Sequence, residues 1–461
     1  MEYINLATGG TITRVDKTSN TYSVIHTFTS SGTFTKTTDK TITGYYLVVA
    51  GGGAGGLDDG GGGGGAGGLL TNWGGSAVVL PTASVTVGAG GVPNEQGDRV
   101  GGNGGNSSYS GITAIGGGGG CGGQDNSAKS GGSGGGASRA NNNGGGAGTS
   151  GQGFAGAANE LGPHGSSNER DYGCGGGGAG GAGQSGWLDW AGGSQTKYYN
   201  GGSGGVGKQL TISGSSKWYA AGGQGGFGAE YNSTIFAQNG IGGKGGQKDA
   251  GAATAGAANT GSGGGGGGRQ RDAGAAGGTG VVILRYDVTR YQVTKYATSN
   301  GKINDTTTQS SQWVTAGESA TYTVTPNTNY RIGQIIVNGV VQSLTPQELN
   351  NGKTLTISPT ANTIIQASFV AKPYLTITIS DGGEIKVDGS AVSSGYVDYN
   401  VAKTYSITPD QGCVIVSVTI NGVAQQIPNK LGYTVNIQPT GNTTLAATFT
   451  PSGGAVYQHF L

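Results

Sequence analysis

Four stretches of the chain repeat with a period of three: Gly101-Gly102-Asn103-Gly104-Gly105-Asn106, Gly201-Gly202-Ser203-Gly204-Gly205-Val206, Gly222-Gly223-Gln224-Gly225-Gly226-Phe227 and Gly242-Gly243-Lys244-Gly245-Gly246-Gln247. They lie in a region, residues 51–280, in which 85 of 230 residues are glycine, against 104 in the 461 of the whole chain. Glycine loses more backbone freedom on folding than any other residue, so composition alone points to disorder. The period points to order. A polyproline-II-type helix has three residues per turn and no internal hydrogen bonds, so every N–H and C=O projects sideways. In a Gly-Gly-X helix the side chains share one edge, and the two bare edges accept neighbouring helices. Each lateral bond contributes about 0.5–1.5 kcal/mol net, against about 1–2 kcal/mol of backbone entropy per residue. Only a bundle with nearly every bond made can hold. Runs without side chains, Gly60 to Gly65, Gly116 to Gly120, Gly175 to Gly178 and Gly263 to Gly268, suit its interior; the Gly-Gly-X runs suit its rim.

Strands frame this region. Thr11-Ile12-Thr13-Arg14-Val15, Tyr22 to Phe28 and Gly32 to Thr35 alternate apolar and polar residues, and Tyr45 to Ala50 is a continuous apolar run of the kind buried on both faces. Ser76 to Leu80 with Ser84 to Val87, and Val281 to Tyr286, have the same character. The expectation is one β-sandwich built from residues 1–50, 76–88 and 279–288, from which the bundle (about 51–280) is extruded as insertions.

Net charge is +1 and 11% of residues are charged, which excludes a basic surface for nucleic acid. No apolar run approaches the ~20 residues of a membrane helix, so no membrane insertion is expected. Met1-Glu2-Tyr3-Ile4-Asn5 lacks the basic-then-apolar pattern of a secretory signal, which implies folding in a cytoplasm. Cys121, Cys174 and Cys413 form no framework and no metal spacing; they fit small apolar fillers, or a Cys121–Cys174 bridge inside the bundle. Helix formers are sparse, so almost no α-helix is expected.

The stretches His26 to Phe34, Tyr46 to Gly56 and Gly280 to Tyr286 resemble the glycine-rich domains of bacteriophage tail-fibre and adhesin proteins, over about residues 9–287. The resemblance implies a jelly-roll-like sandwich with polyglycine-II helix insertions, a non-enzymatic virion protein, and host-recognition loops at one end of the bundle. It also implies assembly in the host cytoplasm, other virion proteins and a host-surface glycan or protein as partners, and the trimeric state common among fibres.

Residues 289–450 hold a tandem repeat, 289–371 and 372–450. Thr321-Tyr322-Thr323-Val324-Thr325-Pro326 matches Thr404-Tyr405-Ser406-Ile407-Thr408-Pro409, and Val337-Asn338-Gly339-Val340 matches Ile420-Asn421-Gly422-Val423. Asn-Gly between alternating strands is the type I′ hairpin signal, and each unit reads as a small β-sandwich. The units resemble divergent immunoglobulin-like repeats of bacterial surface proteins, which implies spacers or weak carbohydrate binders. Residues 451–461 read as a flexible tail.

Catalytic signals are weak. Gly51-x-Gly53-x-x-Gly56 follows a strand as a dinucleotide fingerprint does, but glycines replace the required helix. Gly202 to Lys208 falls one residue short of a phosphate loop, with Gln209 where Ser or Thr is needed. His26, His164 and His459 are far apart, and Asp58 with Asp59, or Asp171 with Asp189, read as solvated acids rather than a glycosidase pair. No enzyme, cofactor or metal site is expected. The stronger signal is aromatic: Trp187, Trp190, Tyr198, Tyr199, Trp218, Tyr219, Tyr231 and Phe236 gather in segments between glycine runs, with His164 in a further one. Rigid amphipathic rings bind sugars and proteins at low entropic cost, and equally well pack at bundle ends. A structural decoration or assembly protein of a capsid or tail is the rival to the adhesin, and an ice-binding bundle would need an ordered threonine or alanine face.

Overall fold

A computed structural model of the chain describes residues 3–57, 60–94, 99–122, 127–138, 144–159, 172–190, 197–227, 238–247, 251–268 and 272–453. It is nearly all β: among the described residues the only α-helix is Pro346–Asn351. That turn is set by a capping box, in which Thr345 Oγ1 accepts from the Glu348 amide and Glu348 Oε2 accepts from the Thr345 amide. The chain divides into two compact units at Val288 and Thr289.

The first unit is a sandwich carrying a bundle. One antiparallel sheet contains Ala7–Thr8, Gly32–Lys36, Ala83–Thr86, Ser107–Tyr109 and Ile112–Ala114, in that spatial order. In the other, Thr11–Asp16, Thr21–Phe28, the first part of Val281–Ala297 and Thr43–Val49 lie side by side, and Thr43–Val49 also pairs with Leu69–Thr71 and Val78–Val79. Alternation decides which residues fill which core. Tyr22, Val24, Val48, Val282, Leu284 and Tyr286 meet Phe34, Val85 and Tyr109 between the sheets. The intervening Ile25, Leu47, Val49, Val281 and Ile283 point the other way and pack on Ile212, Tyr219 and Ala220. Thr43–Val49 and the first part of Val281–Ala297 are therefore covered on both faces, which is why they read as unbroken apolar runs, whereas the outer strand Thr11–Asp16 has no buried residue and alternates. Arg285 fastens that outer layer: its guanidinium donates to the carbonyls of Thr211 and Ile212 (3.2 and 3.3 Å) and to Ser23 Oγ (3.0 Å), and lies over the Trp73 ring.

The sandwich uses more of the chain than its framing strands. Leu69–Thr71 and the hairpin Ser107–Tyr109/Ile112–Ala114 come from inside the glycine region. Two of the aromatic-bearing segments between glycine runs are antiparallel hairpins, Trp187–Trp190/Lys197–Asn200 and Lys208–Leu210/Lys217–Tyr219.

The glycine runs form the expected lateral lattice. In the run 61–68, successive amides donate in turn to three different neighbours. Gly61, Gly64 and Gly67 bond to Gly267, Gly264 and Gly261; Gly62, Gly65 and Gly68 to Cys121, Gly118 and Ile115; Gly63 and Ala66 to Cys174 and Gly177, all at 2.8–3.0 Å. Carbonyls of the same run accept from three more neighbours: Gly226 and Gly223, Gly56 and Gly53, Gly136 and Ser133. Three directions of donor and three of acceptor give six neighbours, the packing that a three-fold helix dictates. Gly173 to Gly178 is surrounded in the same way. Close packing is the reason for glycine: a Cβ on Gly64 would lie 2.1 Å from the Gly53 carbonyl oxygen.

The bare runs are buried, as their lack of side chains requires, while Asn103, Val206 and Lys244 stand exposed at the rim. Asn103 and Asn106 show what the third residue is for: their Oδ1 atoms accept from the amides of Gly119 and Gly116, filling lattice positions with side chain in place of backbone. One assignment is corrected. The run Gly222 to Phe227 is not rim; it bonds to five other runs, Gln224 is 4% exposed and Phe227 1%. Gln224 is tolerated inside because its Oε1 accepts from the Gly245 amide at 3.3 Å. Cys121 and Cys174 are both buried and not bridged; Ser138 Oγ donates to Cys121 Sγ, and Cys174 Sγ donates to the Ala158 carbonyl.

The second unit is two sandwiches in tandem with separate cores, one around Val293, Tyr322, Ile335 and Ile365, the other around Leu375, Tyr405, Val418 and Leu445. They share construction in detail. Val293 pairs in parallel with Thr363 as Leu375 does with Thr443, and a register shift at Ile332/Gln334 recurs at Ile415/Ser417. Both Asn-Gly turns have positive φ at each residue, 49° and 81° at Asn338 and Gly339, 51° and 79° at Asn421 and Gly422. Asn350 joins the two repeats, exchanging hydrogen bonds with the backbone of Tyr399 while Arg331 lies over the Tyr399 ring at 3.8 Å.

Candidate functional site

The bundle has two unlike ends, and hydrogen bonds identify them. One end joins the sandwich: Ala50 bonds to Gly68, Gly68 to Ile115, Ala179 to Ala220 and Gly280 to Gly88. The other lies about seven residue steps away, roughly 22 Å at ~3.1 Å per residue. There Leu57 bonds to Arg99, Gly62 to Cys121, Cys121 to Gly136, Gly173 to Gly226 and Gln247 to Gly251. The described residues flanking segments 58–59, 95–98, 123–126, 139–143, 160–171, 248–250 and 269–271 stop at this far end. The hairpin Trp187–Trp190/Lys197–Asn200 also leaves from it, since a Cβ on Gly186 would meet the Tyr172 ring and the Asn200 carbonyl. The end is plugged from within by Tyr172 and Phe227, paired in a β-bridge and 6% and 1% exposed, with Gln247 bridged to Phe227. Sequence reading passed over these plugs; the signal was their place at the boundary of a glycine run.

The aromatic residues singled out from sequence do not form one group. Trp187 stands at the far end, 50% exposed. Trp190, Tyr198 and Tyr199 share its hairpin, with Trp190 opposite Lys197, Tyr198 opposite Asp189 and Tyr199 opposite Leu188. Trp218 and Tyr219 sit on the hairpin at the sandwich end. Tyr219 is 3% exposed and part of the apolar layer on Ile25 and Leu47, so it is a packing residue rather than a presented ring; alternation and the apolar Ile212 draw it inward. His164, Tyr231 and Phe236 lie outside the described residues, and the residues flanking the Tyr231–Phe236 segment, Phe227 and Asn239, sit at opposite ends of the bundle.

The nucleotide-like motifs are bundle. Gly51 to Gly56 pairs laterally with runs 102–105, 275–278 and 62–65, and no helix follows. Lys208 is exposed and opens a hairpin strand, paired with Tyr219, where a phosphate loop would open a helix. Among the described residues no three His, Cys, Asp or Glu come together as metal ligands, and no helix is long and apolar enough to cross a membrane. Asp58, Asp59 and Asp171 lie outside the described residues.

His26 is packed inside the sandwich, with Nδ1 2.7 Å from the Gly9 carbonyl and Nε2 3.3 Å from the Tyr286 hydroxyl. Its role is structural. Burial holds its pKa below the ordinary 6.5; the Gly9 carbonyl opposes this and Arg14 adds to it. The unfolded chain therefore binds a proton that the folded chain resists, so stability is full above about pH 6.5 and falls as pH drops beneath it. Urea midpoints at pH 7 and pH 5 should show this decline, and the His26→Gln variant, which keeps one donor and one acceptor, should lose that part of it. Equal slopes in the two proteins would contradict the assignment.

A three-fold glycine-helix bundle extruded from a β-sandwich defines the class. Residues 29–287 match the family described as glycine-rich domain, more than half of the chain, and the protein belongs to that family. No curated protein matches the sequence.

Proposed function

We propose that the protein is a non-enzymatic subunit of a phage tail fibre or adhesin, in which the glycine bundle is a rigid platform and its far end recognises a host-surface glycan or protein. The observation that supports this reading is that the glycine runs flanking seven segments end, and the exposed Trp187 stands, at the end away from the sandwich. A rigid scaffold that ends its regular elements at one face is how binding loops are ordinarily displayed. The two repeats, read as immunoglobulin-like spacers, and the sandwich then serve attachment to other virion proteins, with a homotrimer as the assembly. The same observation supports a capsid or tail decoration protein whose far end contacts virion partners.

The two ends provide the test. Trp187→Ala with Trp190→Ala should weaken binding to host cells by about tenfold or more, the loss expected of aromatic anchors. Trp218→Ala, on the hairpin at the sandwich end, should leave it unchanged. Host binding that survives the double substitution, with fold intact by circular dichroism, would refute recognition through this hairpin.

A further inference from the structure

We infer that the first repeat of the second unit carries a separate binding groove for a neutral oligosaccharide. Strand register places Gln309, Tyr296, Gln366 and Ile336 in one row across four adjacent strands. Alternation fixes the row on the outer face, because Val293, Ala297, Ile365 and Ala367 belong to the core beneath. Beside it Gln334 pairs with Ser368, and a cleft of about 530 Å³ opens along both rows, within the range of small-ligand sites.

The lining specifies the ligand. Tyr296 is half-buried and gives a ring against which the C–H face of a sugar can stack. Gln309, Gln334 and Gln366 are primary amides, each able to donate and accept, as sugar hydroxyls do. Thr298, Thr308 and Ser368 add hydroxyls, and among the described residues no charged side chain lines the cleft. An anionic ligand would find no cation there.

The second repeat shows that the groove does not come automatically with this fold. With the same register, it has Thr378, Ala446, Ser417 and Thr419 where the first has Tyr296, Gln366, Gln334 and Ile336. Its edge strand at this place is Gly395–Tyr396, which pairs only with Leu375 and Tyr374. In the first repeat Gln309–Thr315 continues alongside as far as Tyr296 and walls the cleft. Both the side chains and the wall are particular to one repeat.

The probe is an array of neutral and of sialylated oligosaccharides, offered to the full-length protein, followed by titration of the best neutral binder. A neutral oligosaccharide should bind, Tyr296→Ala should weaken it about tenfold, and Tyr296→Phe should retain it. Gln309→Ala with Gln366→Ala, both exposed positions, should weaken it as well and serves if Tyr296→Ala fails to fold. Trp187→Ala with Trp190→Ala should leave this binding unchanged, which separates the groove from the far end of the bundle. Binding of sialylated sugars alone, no binding at millimolar concentration, or loss in the tryptophan variant with retention in Tyr296→Ala would each overturn the inference.

Discussion

Gly64→Ala is expected to destabilise the first unit by about 4 kcal/mol, whereas Gly144→Ala is expected to change stability by less than about 0.5 kcal/mol. Both replacements add one methyl group to a glycine in the same region. At Gly64 the new Cβ would sit 2.1 Å from the Gly53 carbonyl oxygen and 2.6 Å from its carbon, both backbone atoms that cannot rotate away. The run must separate from its neighbour. That costs about 1–3 kcal/mol of overpacking and weakens lateral bonds worth about 1 kcal/mol each, among them Gly64 to Gly264 and Gly223 to Gly64. The smaller conformational entropy of alanine in the unfolded chain returns less than about 1 kcal/mol. Steric exclusion wins. At Gly144 nothing lies within 4 Å and the residue is exposed, so the methyl enters solvent. Urea unfolding of the two variants should differ accordingly in midpoint. Equal midpoints would mean that the glycines are not there to let backbones approach.

Much of this fold is legible in the sequence because its strongest signals are local. A period of three fixes the geometry of the glycine runs, unbroken apolar stretches identify strands covered on both sides, and Asn338-Gly339 with Asn421-Gly422 locate matching turns. What escaped depends on neighbours. The hairpins at Ser107–Ala114 and Lys208–Tyr219 have strands of three residues, too short for alternation to register. Gln224 looked like a rim residue because a long side chain needs space; its amide instead supplies an acceptor to a lattice made of amides. The aromatic segments could not be assigned to an end, since each run crossing reverses direction and the end reached depends on counting every crossing. Trp187 and Trp218 are thus separated although each lies within four residues of a glycine run. The Tyr296 groove was invisible for a similar reason: Gln309, Tyr296, Gln366 and Ile336 come from four strands and only register unites them.

The alanine content of the rim does not alter the functional reading. Ala252, Ala255 and Ala258 are exposed at intervals of three, as the helix period requires of any side chain on a rim run. Small residues there keep the edge of the lattice flat, and nothing further marks them as a site.

Amide hydrogen exchange through Gly61 to Gly68 tests the central claim, that side-chain-free backbone packs six neighbours around one three-fold helix. Every amide in this run has a lateral acceptor at 2.8–3.0 Å and every residue is buried, so exchange requires the bundle to open. With opening free energies in the ordinary range of about 5 kcal/mol or more, all eight amides should exchange at least roughly a thousand times more slowly than in an unfolded chain. Protection should be continuous along the run, because successive amides find acceptors on successive neighbours. Exchange at the unfolded rate, or protection of every second amide as in an edge strand bonded on one side, would contradict the lattice and with it the platform on which recognition is proposed to rest.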